Sequence, residues 1–284
     1  MARHQARQTT IGTPVTLDGV GLHGGGPCRL TLAPAPADTG IVWQRMDLPG
    51  RPTVPATVEY VVDTRRATTI GRGVARIRTV EHVMAALRAL EVDNALVQLE
   101  GEEPPFADGA AATFVALIRS ASVVPLDAPR RARRPRAPVW VSSGDAHMVA
   151  LPSSEFRVSY TFVSDHPALR TQFADFAVDP DVFEHEIAPA RTVGWLHEVE
   201  ALRRSGLGLG ITKDAAVVVG ETDLVTPMRF ANEVARHKVL DIVGDLALAG
   251  PVAGLHVIAV RSGHQLHVEL ARRLTQVIVE EDAC

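Results

Sequence analysis

The sequence predicts an α+β fold made of two similar domains, each a small β-sheet packed on helices, with an active site at their interface. Three observations lead there. Each half opens on strand-like alternation of apolar and polar residues, and each then carries a helix of 3.6-residue periodicity. Each half also closes with a strand, a short glycine-containing loop and a second helix, as an internal duplication would. Stacking two such units face to face brings their helices to a shared boundary, and small-molecule sites favour such clefts.

In order along the chain, Pro14–His23 and Pro27–Pro34 read as antiparallel strands joined at Gly24-Gly25-Gly26, followed by a strand over Gly40–Met46. The spacing of TVEHVMAALRAL predicts a helix over Thr79–Leu90, and NALVQL a strand over Asn94–Leu99. The loop GEEPPFADG leads to a helix near Ala110–Ser120. Residues 124–138 hold five arginines and four prolines and read as a solvated linker between domains 1–123 and 139–284. The competing reading of that run is a contact with an anionic surface. Beyond it, strands are expected within Val139–Val149 and over Glu155–Val163, a helix over Gly194–Arg204 and a strand over Ala215–Val219. Asn232–Ala249 is the best-patterned helix, with Asn232 placed as N-cap and Gly250-Pro251 as the stop. Strand Gly254–Val260, loop RSGH and helix Gln265–Leu274 finish the chain.

Composition narrows the function classes. The 284 residues are 46% hydrophobic and 22% charged, enough to bury one large core or two medium ones. A net charge of -4 gives no overall basic field for nucleic acid. Cys28 and Cys284 are too few for a disulfide framework or a thiolate metal site, and a reducing cytoplasm is the simplest setting. The N-terminal MARHQARQTT has no apolar run behind it, and no stretch reaches the roughly 18 to 20 apolar residues of a membrane-spanning helix. With no heptad or apolar stripe to suggest association, a monomer is expected.

The residues able to do chemistry cluster on the helices. His237 and Asp241 are four apart and share a helix face, which Asp245 extends. Such a pair holds zinc in many proteins, but from the pair alone a surface ion pair on an amphipathic helix is the favoured reading. His82 as a third ligand leaves an open position for water, the arrangement of a catalytic site. Glu81 beside it is placed as general base, against the alternative of an acid favouring the first helical turn. His264, in a tight SGH loop, is the candidate proton donor, and Asp245 a carboxylate that orients a histidine. His4, His147, His185 and His197 are expected to be exposed, and His256 and His267 to lie on element faces without function.

TVEHVMAAL, HKVLDIVGDL and SGH, in that order, resemble the UDP-3-O-acyl-N-acetylglucosamine deacetylases of Gram-negative bacteria (the LpxC family of lipid A biosynthesis). So do DGVGLHGG, APADTGIVW, VDNALVQL, FADGAAATFV, SDHP and ARTVGWL, collinear over nearly the whole chain. The resemblance implies two similar α+β domains with the site between them, and an acylated UDP-amino sugar as substrate. It implies His82, His237 and Asp241 as zinc ligands and Glu81 as base, with His264 as acid or electrostatic partner supported by Asp245. Thr192 falls at the oxyanion position. Lys238, Arg261 and His23 fall at substrate-contacting positions, Arg261 being placed on phosphate, and Val193 stands where the family usually has an aromatic residue. Val193–Gly210 is expected to wall the acyl chain. Arg65-Arg66 and the arginine-rich linker also depart from the pattern. Iron(II) suits the same ligand set; zinc is expected because hydrolysis needs a Lewis acid without redox chemistry. Two other readings stand beside this one: a metallohydrolase on a different acetylated sugar or peptide, and a non-catalytic ligand-binding relative.

Overall fold

The computed structural model of the chain describes residues 6–131, 133–204, 208–210 and 215–280. In the first half, β1 (Arg7–Ile11) precedes β2 (Val15–Val20), β3 (Pro27–Pro34), β4 (Ile41–Arg45) and β5 (Thr53–Pro55). A three-stranded insert of β6 (Val61–Asp63), β7 (Thr69–Arg72) and β8 (Ala75–Ile77) comes next. Then follow α1 (Glu81–Ala89), β9 (Ala95–Glu100) and α2 (Ala112–Ala121).

Two connecting strands, β10 (Val123–Pro129) and β11 (Arg133–Pro135), lead to the second half. It begins with β12 (Val139–Ser143), β13 (Ala146–Pro152), β14 (Arg157–Phe162) and β15 (Gln172–Ala177). Its insert holds the short α3 (Pro180–Val182) running into a wide turn at Phe183–Ile187, then β16 (Val193–Trp195), α4 (Leu196–Arg204) and β17 (Val217–Val219). The closing elements are α5 (Glu233–Ala247), β18 (Leu255–Val260), α6 (His264–Val277) and β19 (Ile278–Glu280).

The two main sheets have the same topology. One is ordered β2-β3-β9-β4-β5 and the other β12-β13-β18-β14-β15. In each, a hairpin pairs with the last strand antiparallel, and that strand runs parallel to the third. A parallel neighbour requires a crossover, and α1 and α5 are those crossovers. The duplication read from the sequence is therefore present in strand order and direction. Each half also carries its insert at the same point, between its fourth sheet strand and its crossover helix.

Local sequence accounts for these elements. In β3, Cys28, Leu30 and Leu32 face inward while Pro27 and Arg29 face solvent, the period of two that alternation demands. In β9, Ala95, Val97 and Leu99 do the same. Helix α1 is buried on every side but Arg88, because it lies between its own sheet and α5. The main apolar core is continuous across both halves, running from Trp43, Val83 and Leu87 to Val239, Ile242 and Leu270.

Three features differ from the sequence expectation. The run expected to be a solvated linker is paired, β10 with β1 and β11 with β19. Two-stranded ribbons leave one edge of each strand free, which is where proline is tolerated. Asn232 stands at the N-cap, but its side chain bonds Phe173 O and Arg236 rather than the helix amides. The strands β5 to β8 and β15 were not expected at all. His4 and Cys284 lie outside the described residues.

Helices α1 and α5 cross in direct backbone contact. A Cβ built on Gly244 would stand 2.0 Å from the carbonyl oxygen of Glu81, a distance no real side chain reaches. Gly244→Ala is therefore expected to push the helices apart and to cost about 2 kcal/mol or more by overpacking. A urea-denaturation midpoint measured with and without the substitution checks this, and an unchanged midpoint contradicts the close crossing.

Candidate active site

The crossing sets the site. His82 is the second residue of α1 and is buried there beside Glu81, while His237 and Asp241 lie on the facing turn of α5. The ligand atoms of His82, His237 and Asp241 lie within 4.8 Å of one another. Asp241 Oδ1 is 3.7 Å from His82 Nε2 and 3.4 Å from His237 Nε2. The two imidazoles meet edge to face, with centroids 5.0 Å apart.

The hydrogen bonds around these three residues leave some of their polar atoms satisfied and others open. Asp241 Oδ1 is buried and has no hydrogen-bond partner among the described residues, a costly state for a carboxylate oxygen unless something else meets it. His237 Nδ1–H donates to the carbonyl of Ala190 at 3.0 Å, which leaves Nε2 as a lone pair aimed at Asp241. Burial holds His237 down at about 4, so the ring is neutral and able to ligate. Burial alone would raise Asp241, but Lys238, His237 and His264 hold it well below the usual carboxylate range. Lys238 Nζ donates to Asp241 Oδ2 at 2.8 Å and fixes the other oxygen. These residues fit a divalent cation.

A second cluster, Asp245, His264 and His267, has similar spacing and a different character. Asp245 Oδ2 accepts from His264 Nδ1 and His267 Nδ1, each at 2.8 Å, and Oδ1 accepts from Thr68 Oγ1 at 2.6 Å. All of these atoms are committed to hydrogen bonds, so the cluster is a relay around a carboxylate. His267, read from the sequence as without function, is fully buried and part of it; its Nε2 lies 3.1 Å from Ser262 Oγ. Burial lowers His267 despite Asp245. In His264 burial is outweighed by Asp245 and Asp241, and the imidazole is raised to about 9. Tyr160 Oη donates to Ser262 O at 2.8 Å and holds the SGH loop in place.

Glu81 completes the centre. Burial raises its carboxyl, against the opposing charges of His264 and His82. Its Oε2 accepts from the Thr68 amide at 3.1 Å, and Oε1 is 3.9 Å from His264 Nε2. Thr68 thus steadies both Glu81 and Asp245. No sequence pattern marks it.

These groups open on a cleft of about 380 Å³. Glu81, His82, Thr192, Val193, His237, Lys238, Asp241 and His264 line it, as the sequence reading had placed them near one site. Asp245 lies directly behind His264. His23 does not line the cleft, although its neighbour Leu22 does; the His23 amide donates to Glu103 Oε2 at 2.7 Å. Arg261 is exposed, has φ of 54°, and is not brought into the cleft. Arg66, from the first insert, is there instead, 3.5 Å from Glu198 of α4. Arg65 turns away to pair with Asp63. Thr79 also lines the cleft, with φ of 55° and a buried hydroxyl that has no partner among the described residues. A threonine held in the left-handed region is strained, and such strain concentrates at functional sites.

Thr192 is set by the ion pair on its neighbour. Arg191 Nε and its amide donate to the buried Glu233 Oε1, both at 2.9 Å, which ties the loop to the first turn of α5. The Thr192 amide donates to Gly109 O at 2.9 Å, linking this loop to the first half. Gly109 has φ of 74°, and a Cβ there would meet the carbonyl oxygen of Ala215 at 1.9 Å, so only glycine allows the approach.

Of the segment Val193–Gly210, residues 205–207 lie outside the described ones. At its far end the amides of Leu209 and Gly210 donate to His23 O and Leu22 O, so the second insert reaches across to the first half.

In the metal-free protein, the elevated His264 pKa means the fold binds that proton more tightly than the unfolded chain. The resulting stability is present below about 6.5 and lost as pH rises through about 9. In Asp245→Asn the principal opposing charge is gone. The His264 titration, followed by imidazole NMR, is expected to move well below 9, and the stabilisation between those pH values to vanish with it. An unmoved titration contradicts the relay.

The family model described as UDP-3-O-acyl N-acetylglycosamine deacetylase (LpxC) matches residues 8–276. A protein of Myxococcus xanthus (strain DK1622) is 44% identical over 270 residues, covering 94% of this chain and 86% of its own. One of Geobacter sp. (strain M21) is 43% identical over 269 residues, covering 94% and 88%. One of Nostoc sp. (strain PCC 7120) is 40% identical over 274 residues, covering 94% and 98%. Each of the three is named UDP-3-O-acyl-N-acetylglucosamine deacetylase. With the family model covering nearly the whole chain, this protein belongs to the LpxC family of UDP-3-O-acyl N-acetylglycosamine deacetylases.

Proposed function

We propose that the chain is a zinc-dependent hydrolase that removes the N-acetyl group of UDP-3-O-acyl-N-acetylglucosamine, releasing acetate and the free 2-amino sugar nucleotide. The observation that carries this reading is the unpartnered, buried Asp241 Oδ1 between two imidazoles, with a carboxylate and a raised imidazole facing the same cleft. Zinc is favoured over iron(II), which suits the same ligand set, because hydrolysis needs a Lewis acid without redox chemistry. Bound to His82, His237 and Asp241, it supplies polarisation of the amide carbonyl and acidifies water.

The protein's own groups do the rest. Glu81, its proton affinity raised by burial, takes the proton of the attacking water. Thr192, which lines the same cleft, donates to the developing oxyanion in this reading. His264, charged at neutral pH and held through Nδ1 by Asp245, keeps an Nε2 proton to give to the departing amine. Lys238 anchors the Asp241 carboxylate while lining the cleft. For the diphosphate we assign Arg66, which lines the cleft, in place of Arg261, which does not. The acyl chain is assigned to the wall formed by Val193, α4 and Gly208–Gly210, where Leu196 and Leu209 are exposed. The domain division at 1–123 and 139–284 is supported by the repeated sheet order. A cytoplasmic monomer remains the expectation from the sequence; no described helix is long and apolar enough to cross a membrane.

Acetate release by the zinc-loaded protein tests the reading. Glu81→Gln is expected to lower kcat by about 10² to 10⁴ while retaining zinc, whereas His237→Ala is expected to lose the metal and the activity together. If the zinc-loaded wild type released no acetate from this substrate across several acyl lengths, the substrate assignment would fail. Other acetylated sugars would then be tried.

A further inference from the structure

A second cavity of about 380 Å³ lies away from the cleft, at the other end of the crossed helices. Arg88 sits near the end of α1, about two turns and roughly 10 Å from Glu81. The cavity is lined by Arg88, Arg130, Arg131, Arg133, Arg134 and Phe156. Four of these arginines come from the connecting run, whose side chains the proposed reaction does not use.

The cavity is built rather than incidental. Arg88 stacks its guanidinium over Phe156, 5.4 Å from the ring centroid, and donates to Val252 O. Arg134 Nη1 donates to Ser153 O at 3.1 Å, and Arg133 Nη1 to Ala249 O at 3.4 Å. Arg130 is oriented by Asp93 and Glu91. The guanidiniums of Arg88, Arg130, Arg133 and Arg134 are thus each fixed along part of their edge. The carboxylates lining the cavity are Glu91, Glu155 and Asp179, three against five cations. Glu155 is also shared with Arg157 outside. Burial, reinforced by the like charge of Arg130 and opposed by Asp93 and Glu91, lowers Arg88 to about 10.

A narrower explanation is that these arginines neutralise carbonyls at the C-terminal ends of α1 and α5. It accounts for the bonds to Ala249 and Val252. It does not account for the excess of cations around a concave space of this size. Guanidinium forks match the oxygens of a tetrahedral phosphate, and several converging forks select it over a single carboxylate.

We propose that this arginine-lined cavity binds a phosphate group, either free phosphate or the phosphate headgroup of an anionic lipid. Occupancy would draw the connecting segment, β11 and the end of α5 together through one anion.

The test uses the zinc-loaded full chain. Inorganic phosphate is titrated calorimetrically at constant ionic strength, and flotation is measured with phosphatidylglycerol–phosphatidylcholine vesicles beside phosphatidylcholine alone. Two variants accompany the wild type. Arg131→Gln/Arg133→Gln is expected to weaken binding about tenfold or more. Glu155→Gln removes a lining carboxylate and is expected to tighten it, a gain that a misfolded protein does not give. Both should release acetate as the wild type does. Saturable phosphate binding that follows both variants supports the site with free phosphate as ligand. Flotation on the anionic vesicles alone, following both variants, supports it with the lipid headgroup. Binding to neither probe, or binding that ignores the variants, overturns the proposal.

Discussion

The structure depends on one close approach, the crossing of α1 over α5 at Gly244. Neither half holds a complete site. His82 and Glu81 come from one crossover helix and His237 and Asp241 from the other, so the site exists only where the two backbones touch. Gly244 makes that possible, since any Cβ there would collide with the carbonyl of Glu81 itself. The duplicated topology explains why the partners are equivalent: each helix is the crossover that its sheet's parallel strand pair requires. It also explains where substrate-contacting residues come from. Each half places its insert just before its crossover helix, so Arg66 from one insert and Thr192, Val193 and Glu198 from the other reach the same cleft.

A centre with this much buried charge has to be balanced group by group. Asp245 receives three donors and Glu233 is met by Arg191, so both remain ionised in the interior. Asp241 is different, because Lys238 satisfies one oxygen and leaves the other facing the Nε2 atoms of His82 and His237. That asymmetry separates the two histidine–aspartate clusters. One is closed by its own hydrogen bonds, and the other has the donor set that could hold a metal ion.

Much of this was legible in the sequence. The long helices were, because burial on nearly every side forces strong apolar patterning, and the ligand candidates were, because four-residue spacing fixes a shared helix face. The two-domain architecture followed from the repeated order of elements. The first insert was not, since three-residue strands such as β6 and β8 are too short to show periodicity, whereas α4 and β17 of the second insert were. The linker was misread because proline and arginine suggest solvation, whereas free strand edges and backbone carbonyls accommodate both. His267 and Thr68 escaped notice because their importance lies in what they touch across the fold. Arg261 shows the opposite failure: its place before SGH suggested a phosphate contact, yet the strand end turns it to solvent, and Arg66 occupies the cleft.

The most direct measurement is anomalous diffraction at the zinc edge from crystals of the zinc-loaded protein. The account predicts one strong site between α1 and α5, within about 2.0–2.2 Å of His82 Nε2, His237 Nε2 and an Asp241 oxygen. A principal zinc on the Asp245, His264 and His267 cluster, or no ordered zinc between the helices, would contradict it.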